Sequence, residues 1–275
     1  MASSSEPWPE PAQVPFDKAA VRRDFARAAT TYDRHAALQR QVAARVANLY
    51  GERAHPEGST ILDLGSGTGL VGRALNERDL IPERLVALDL AHAMTRSGRR
   101  GQQPAITADA ESLPLAPNSL DAVVSSLTLQ WLNRLPAALG EAARCLRPGG
   151  VLVASTLAAG TLTELEAALR TVDGHGGVGP FLGREAMAGA LVASGLAESG
   201  CWVETETLTA SRPRAVLRDL KGLGAVDKTP ERARGLHGRD RLARLERAYR
   251  DACGVAEGPV PVTWRVAYLV AWKPR

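Results

Sequence analysis

Apolar positions along this chain follow two alternating rhythms. From Asp17 onward one stripe carries Val21, Phe25, Ala28 and Ala29, and a second carries Leu38, Val42, Val46 and Leu49. Recurrence at three and four residues marks amphipathic helices, so two helices are expected before the first strand. Short apolar runs follow at Thr60-Ile61-Leu62-Asp63-Leu64, Arg84 to Asp89, Ala105-Ile106-Thr107, Leu120 to Ser126 and Val151 to Thr156. Helical patterns separate them: one through Leu75, one from Ala91 to Arg100 and one from Leu135 to Leu146. Arg147-Pro148-Gly149-Gly150 stops the last of these, since proline and paired glycines break a helix. Strands alternating with helices predict a parallel sheet covered on both faces.

After Leu157 the rhythm changes. Helices at Thr161 to Val172 and Arg184 to Ser194 precede a strand at Cys201 to Leu208, a helical insert from Pro213 to Cys253 and a last strand over Val262 to Trp272. The late strands read as an antiparallel hairpin whose connection has expanded into helices. The expected fold is therefore α/β: a Rossmann-like, doubly wound, mostly parallel sheet with a terminal hairpin, an N-terminal helical cap and a helical insert before the last strand. Residues 1–16 hold Ser, Glu and Pro with little to bury and are expected to be a disordered tail. Residues 17–275 are expected to form one domain, with the cap at 17–52 and a lid-like insert at 211–253.

The chain has 275 residues and 45% hydrophobic content, enough for one large core. Its net charge is +4, and lysine occurs only at Lys18, Lys221, Lys228 and Lys273. Charge concentrates in one place: from Ser211 to Arg247, eleven Arg/Lys face five Asp/Glu, a net of plus six. No aromatic interleaving or recognition motif accompanies that excess, so nucleic acid is not expected. Cys145, Cys201 and Cys253 lie far apart without metal or redox spacing. They suggest no disulfide framework and no metal, and they fit a reducing cytoplasm. No apolar run approaches the roughly 20 residues that span a bilayer, and no membrane association or secretory leader is expected.

Asp63-Leu64-Gly65-Ser66-Gly67-Thr68-Gly69 sits where a strand turns into a helix. Glycines there permit a tight turn and close backbone approach to a ligand facing the helix amides. Gly67 to Gly72 alone matches the dinucleotide pattern G-x-G-x-x-G, which keeps a nicotinamide oxidoreductase open. Asp89 ends the second strand, where a carboxylate accepts ribose hydroxyls in either cofactor class.

The full run, acidic-x-Gly-x-Gly-x-Gly, resembles motif I of the Rossmann-like methyltransferases instead. Asp121 to Ser126 with the apolar-aromatic stretch after it, and Leu146 to Gly150, resemble later motifs of the same superfamily. That resemblance implies S-adenosylmethionine as cofactor and S-adenosylhomocysteine as product. It implies a binding set of Asp63, Gly65, Ser66, Gly67, Gly69, Asp89, Leu90, Met94, Asp109, Ala110 and Ser125. Asp109 would accept from the adenine amine, and Gln39 and Arg40 would reach the methionine carboxylate.

The flanking segments narrow the resemblance. Phe25 to Gln41, with Tyr32-Asp33-Arg34-His35 inside it, resembles the opening of the malonyl-acyl-carrier-protein O-methyltransferases of biotin synthesis. Leu127-Thr128-Leu129-Gln130-Trp131 and Leu220-Lys221-Gly222-Leu223-Gly224-Ala225 extend it. Related quinone and sterol methyltransferases are not expected to share those two stretches. The N-terminal tail and the Gly-rich Gly174 to Gly179 depart from the family pattern. By this resemblance the acceptor is the free carboxylate of a malonyl thioester, on acyl carrier protein or coenzyme A. Such a carboxylate is already ionised at neutral pH, so no general base is required. Tyr32 is the candidate catalytic hydroxyl, and Gln130 and Trp131 stand on the acceptor side. Arg218 and Lys221, three apart on one helix face, are the candidates for phosphopantetheine and an acidic carrier protein. Plain structural readings compete: Tyr32 and Trp131 as packing aromatics, the insert as a solvated basic face. A methyltransferase of a quinone-like acceptor and a non-catalytic module with this fold also stay open.

Overall fold

The computed structural model describes residues 16–53, 58–98, 103–179, 181–224 and 239–275. The expected tail thus lies outside the described residues, except for Phe16. That residue is buried, and its backbone amide donates to Asn133 Oδ1 at 2.7 Å. Phe16 belongs to the folded body.

The chain opens with three helices where two were expected: α1 (Lys18–Ala28), α2 (Tyr32–His35) and α3 (Ala37–Gly51). Asp17 caps α1 by accepting from the Ala19 and Ala20 amides, satisfying donors that a helix start leaves free. Thr31 donates its hydroxyl to the Ala28 carbonyl, and Ala36 leaves helical geometry. These two turns cut the cap into pieces.

There follow β1 (Thr60–Leu64), α4 (Leu70–Asn76), β2 (Arg84–Asp89), α5 (His92–Gly98), β3 (Ala105–Thr107) and β4 (Leu120–Ser125). Then come a 3₁₀ turn at Leu129–Trp131, α6 (Leu135–Cys145), β5 (Leu146–Leu157), α7 (Thr163–Asp173) and α8 (Arg184–Ala193). The chain closes with β6 (Ala197–Ala210), α9 (Pro213–Gly222), α10 (Arg239–Cys253) and β7 (Val260–Trp272). Strand β5 begins five residues earlier than the breaker at 147–150 suggested. Gly149 donates to the Lys273 carbonyl and Lys273 to that of Gly150, both at 2.9 Å. That backbone pairing holds the glycines where the register between β4 and β5 is irregular.

The sheet order is β3-β2-β1-β4-β5-β7-β6. Strands β1 to β5 run parallel, while β7 enters antiparallel between β5 and β6, as the late hairpin predicted. Alternate residues face opposite sides. Ile61, Ala122, Val124 and Val153 join one core with α3, α4, α7 and α10, while Leu62, Val123 and Leu152 join the other with α6 and α8. Strand order reverses between β1 and β4, and the crevice at their carboxyl ends is where this architecture binds ligands.

Candidate functional site

At that crevice the chain turns three times through left-handed backbone, at Gly65 (φ 71°), Gly67 (φ 52°) and Gly69 (φ 80°). A side chain at Gly65 would collide with that of Thr128, whose nearest atom lies 2.1 Å from the Cβ position. Gly65 and Ser66 amides donate to the Leu88 carbonyl at 2.7 and 2.9 Å. The Gly67 amide donates to Asp89 Oδ2 at 2.9 Å, and the Ala91 amide to Asp89 Oδ1 at 2.8 Å. Each carboxylate oxygen of Asp89 therefore accepts one bond and retains lone pairs toward the cleft.

The cleft spans about 650 Å³, counting the open space at its mouth. Its floor includes Gly65, Gly67, Asp89, Leu90, Met94 and Ala110, all expected at a cofactor site. Asp109 stands on its edge, and Tyr32 and Trp131 reach it from above and from the side. Helix α1 forms the roof through Lys18, Val21 and Phe25, none of which the sequence reading had placed there. Phe25 meets the Trp131 ring edge-on at 5.4 Å and Tyr32 at 6.5 Å.

Burial dominates the electrostatics. Asp63 lies under the glycine loop, 1% exposed, and neither of its oxygens has a hydrogen-bond partner among the described residues. Burial first, then the negative charge of Asp89, push its carboxyl up to about 7. Asp89 is also raised by burial, with the Ala91 and Gly67 amides working against the rise. Burial and the charges of Asp89 and Asp33 hold the Tyr32 hydroxyl above its ordinary range. Tyr32 is thus a neutral donor at physiological pH. Ser66 Oγ and Gln39 Oε1 are two further buried oxygens without partners among the described residues. Buried polar groups are ordinarily paired, and the unpaired Asp63 and Ser66 oxygens at the glycine loop suit a polar ligand.

Across 272 residues the chain is 43% identical to the malonyl-[acyl-carrier protein] O-methyltransferase of Laribacter hongkongensis, covering 94% of this chain and 90% of that one. The chain belongs to the malonyl-[acyl-carrier protein] O-methyltransferase family. A second relative of that name, from Gallionella capsiferriformans, is 39% identical over 270 residues, with 94% and 92% of the two chains covered. The methyltransferase-domain profile matches residues 62–154, from within β1 to within β5. A crystal structure of a candidate methyltransferase from Bacillus halodurans shares the fold. Its TM-score is 0.61 at 17% identity, covering 84% of this chain and 99% of that one.

In this family member several expected residues stand away from the cleft. Ser125 is fully buried and donates to the Leu64 carbonyl at 2.8 Å; its neighbour Ser126 lines the cleft instead. Arg40 is exposed and donates to the Asp33 carbonyl at 2.6 Å. Ser66, Gly69 and Asp63 support the glycine turn from behind, and Gln39 lies outside the lining. Gln130 accepts from Thr156 Oγ1 at 3.0 Å and faces a separate small cavity with Phe181 and Met187, so it does not share the side of Trp131. Arg218 and Lys221 are exposed on α9, and neither has an ion pair among the described residues.

Other linkages were missed by sequence reading. Asp33 takes the Thr68 hydroxyl at 2.6 Å and Arg73 at 3.0 Å, fastening the cap to the glycine loop. Leu127, on the cleft wall, holds a left-handed φ of 53°, a strained backbone of the kind that gathers at functional sites. Finally, α9 docks on the cap. His35 Nδ1 lies 2.9 Å from Asp219 Oδ1, and a Cβ on Gly222 would stand 2.3 Å from the His35 ring. The Leu-Lys-Gly-Leu-Gly stretch is glycine-bearing because cap and insert touch there.

Proposed function

We propose that the chain methyl-esterifies the free carboxylate of a malonyl group carried on acyl carrier protein, in biotin precursor synthesis in the cytoplasm. S-adenosylmethionine would be the donor and S-adenosylhomocysteine the product. The observation that carries this reading is the roofed glycine-loop cleft, whose lining among the described residues takes one hydroxyl from the cap, that of Tyr32, a neutral donor.

The residues fit this cofactor. Gly65 and Gly67 admit close backbone approach, and Asp89 offers an acceptor on each oxygen for a ribose diol. Asp63 lies beneath the glycine loop and outside the cleft lining, buried and unpaired, and an ammonium brought against the loop would offset the cost of its burial. When bound, the sulfonium supplies an electrophilic methyl group that departs with the bond pair left on sulfur. The chain's share is orientation and exclusion of water. Tyr32 donates a hydrogen bond to an acceptor oxygen and orients it, keeping its own proton. Trp131 and Phe25 close the wall against water. Alignment of this kind lowers a barrier by up to roughly 7–11 kcal/mol in well-oriented systems.

The basic insert is the docking surface for an acidic carrier protein in this reading. Of its cations, Arg214 pairs with Glu246 at 2.6 Å within the insert, and Arg241 pairs with Asp173 outside it. Arg218 and Lys221 remain available for the phosphopantetheine phosphate and the carrier.

The test uses labelled S-adenosylmethionine with malonyl-acyl carrier protein, malonyl-coenzyme A and acetyl-acyl carrier protein. Ester on the malonyl carrier alone supports the full reading. Ester on both malonyl thioesters removes the carrier preference. Cofactor binding without ester on any of them discards this acceptor in favour of another small molecule.

A further inference from the structure

The roof of the cleft is fastened differently at its two ends. Toward its carboxyl end, α1 rests on small apolar side chains: Ala28 and Ala29 pack with Ala91 and Met94. At its amino end the fastening is polar. Lys18 Nζ lies 2.6 Å from Asp109 Oδ2 and 2.7 Å from Glu111 Oε1, joining α1 to the loop after β3. Two residues before Lys18, Phe16 and Asn133 exchange two hydrogen bonds, amide to Oδ1 at 2.7 Å and Nδ2 to carbonyl at 3.2 Å. Glu111 knits these pairs together by also accepting from the Asn133 amide at 2.7 Å. Its side chain is 6% exposed. Burial works to raise its carboxyl, yet the Lys18 ammonium and the Asn133 and Arg134 amides bring it below the ordinary range.

Lys18 and Asp109 both line the cleft, at the end where the loop after β3 meets the roof. A nucleoside-sized ligand lying in the cleft would be covered by α1, and lifting this end breaks the Lys18 pairs together with the Phe16–Asn133 hydrogen bonds. We propose that Lys18 is a positioning residue that latches the roof over the cofactor cleft, so that opening this ionic latch governs ligand release. The inference rests on the cofactor reading above. Lys18 acts through Asp109 and Glu111 and takes no part in the methyl transfer itself.

Charge-assisted pairs weaken as salt rises, whereas the apolar end of the roof does not. The experiment measures S-adenosylhomocysteine affinity and release by calorimetry and by stopped-flow tryptophan fluorescence, Trp131 lying 5.7 Å from Phe16. In wild type, release should accelerate between about 0.05 M and about 0.5 M salt. Lys18→Met should release the ligand roughly tenfold faster, the equivalent of about 1.4 kcal/mol, and should lose the salt dependence. Lys18→Arg, which keeps the charge, should stay within about threefold of wild type. Asn133→Ala, which removes the neutral half of the latch, should speed release while keeping the salt dependence. Unchanged release in Lys18→Met overturns the latch. Equal loss of melting temperature and equal acceleration in Lys18→Met and Lys18→Arg overturn it too, because that is general destabilisation. If wild type itself does not bind S-adenosylhomocysteine, the cofactor reading falls and takes the latch with it.

Discussion

The floor and the roof of the cleft are built by different means. In the floor, β1, the glycine loop, α4 and β2 are contiguous in the chain, and backbone atoms do most of the holding: Gly65, Ser66 and Gly67 amides bond to Leu88 and Asp89. In the roof, side chains far apart in sequence do it. Lys18 reaches 91 residues to Asp109, Phe16 reaches 117 to Asn133, and His35 reaches 184 to Asp219. The floor is therefore fixed once the strands pair. The roof is held by a few polar pairs and close packings that can open singly, which suits a surface that must admit and release ligand.

The most damaging way to test this division is in the floor. Gly65→Ala places a side chain against Thr128 at a left-handed φ of 71°, and left-handed backbone alone costs a non-glycine residue about 1–3 kcal/mol. Binding of S-adenosylhomocysteine should fall by about a hundredfold or more, measured by calorimetry. Methyl transfer should fall with it, regardless of the acceptor offered. Binding kept within tenfold would mean that the floor adapts and is not fixed by its backbone.

The same contrast explains what could be read from the sequence. Helix stripes, strand runs and the late hairpin are local patterns, and the sheet follows them closely. The glycine loop was legible because left-handed turns leave a residue-type signature, and Asp89 because a strand end marks its place. Pairs such as Lys18 with Asp109 leave no periodic trace. Ser125 was misplaced by one residue: strand alternation points it into the sheet toward Leu64, and Ser126 beyond the strand meets the cleft. Gln130 and Trp131 both follow the fourth strand and are expected on the acceptor side, yet a 3₁₀ turn sends successive side chains to different sides. The left-handed Leu127 is a tertiary effect, closed by the hydrogen bond its amide donates to the Ser155 carbonyl.

A second effect separates stability from binding within the floor. The Asp63 carboxyl, at about 7 in the folded chain, stands above its ordinary value of 3.8. Between those values the folded chain holds a proton that the unfolded chain has released. Stability of the ligand-free protein should therefore fall as pH rises from about 4 through about 7 and level off above. Asp63→Asn is neutral throughout and should remove that decline. Its ligand-free melting temperature should exceed wild type at pH 8 by a few degrees, a shift of about 2–4 °C per kcal/mol for a chain of this size. S-adenosylhomocysteine should nonetheless bind the variant less tightly, because an ammonium loses its anionic partner. A variant that melts lower at pH 8, or that binds as tightly as wild type, would show that Asp63 is already paired in the free protein.

The smallest effect belongs to the roof and distinguishes it most directly from the floor. Gly222→Ala sets a methyl group 2.3 Å from the His35 ring, and overpacking of this kind typically costs about 1–3 kcal/mol. The strain falls on the joint between α9 and the cap, not on the glycine loop. KM for malonyl-acyl carrier protein should rise several-fold, while S-adenosylhomocysteine affinity stays within about twofold. Pairing it with His35→Ala removes the ring that the methyl group strikes. The double variant should recover most of the lost stability, with a coupling energy of about 0.5–3 kcal/mol as expected for residues in contact. His35→Ala alone loses the Asp219 pair and should cost little, because Asp219 is half exposed and such pairs contribute about 0–1 kcal/mol. If Gly222→Ala weakens cofactor binding as much as acceptor binding, the joint reaches through the cap to the floor, and the two regions act as one.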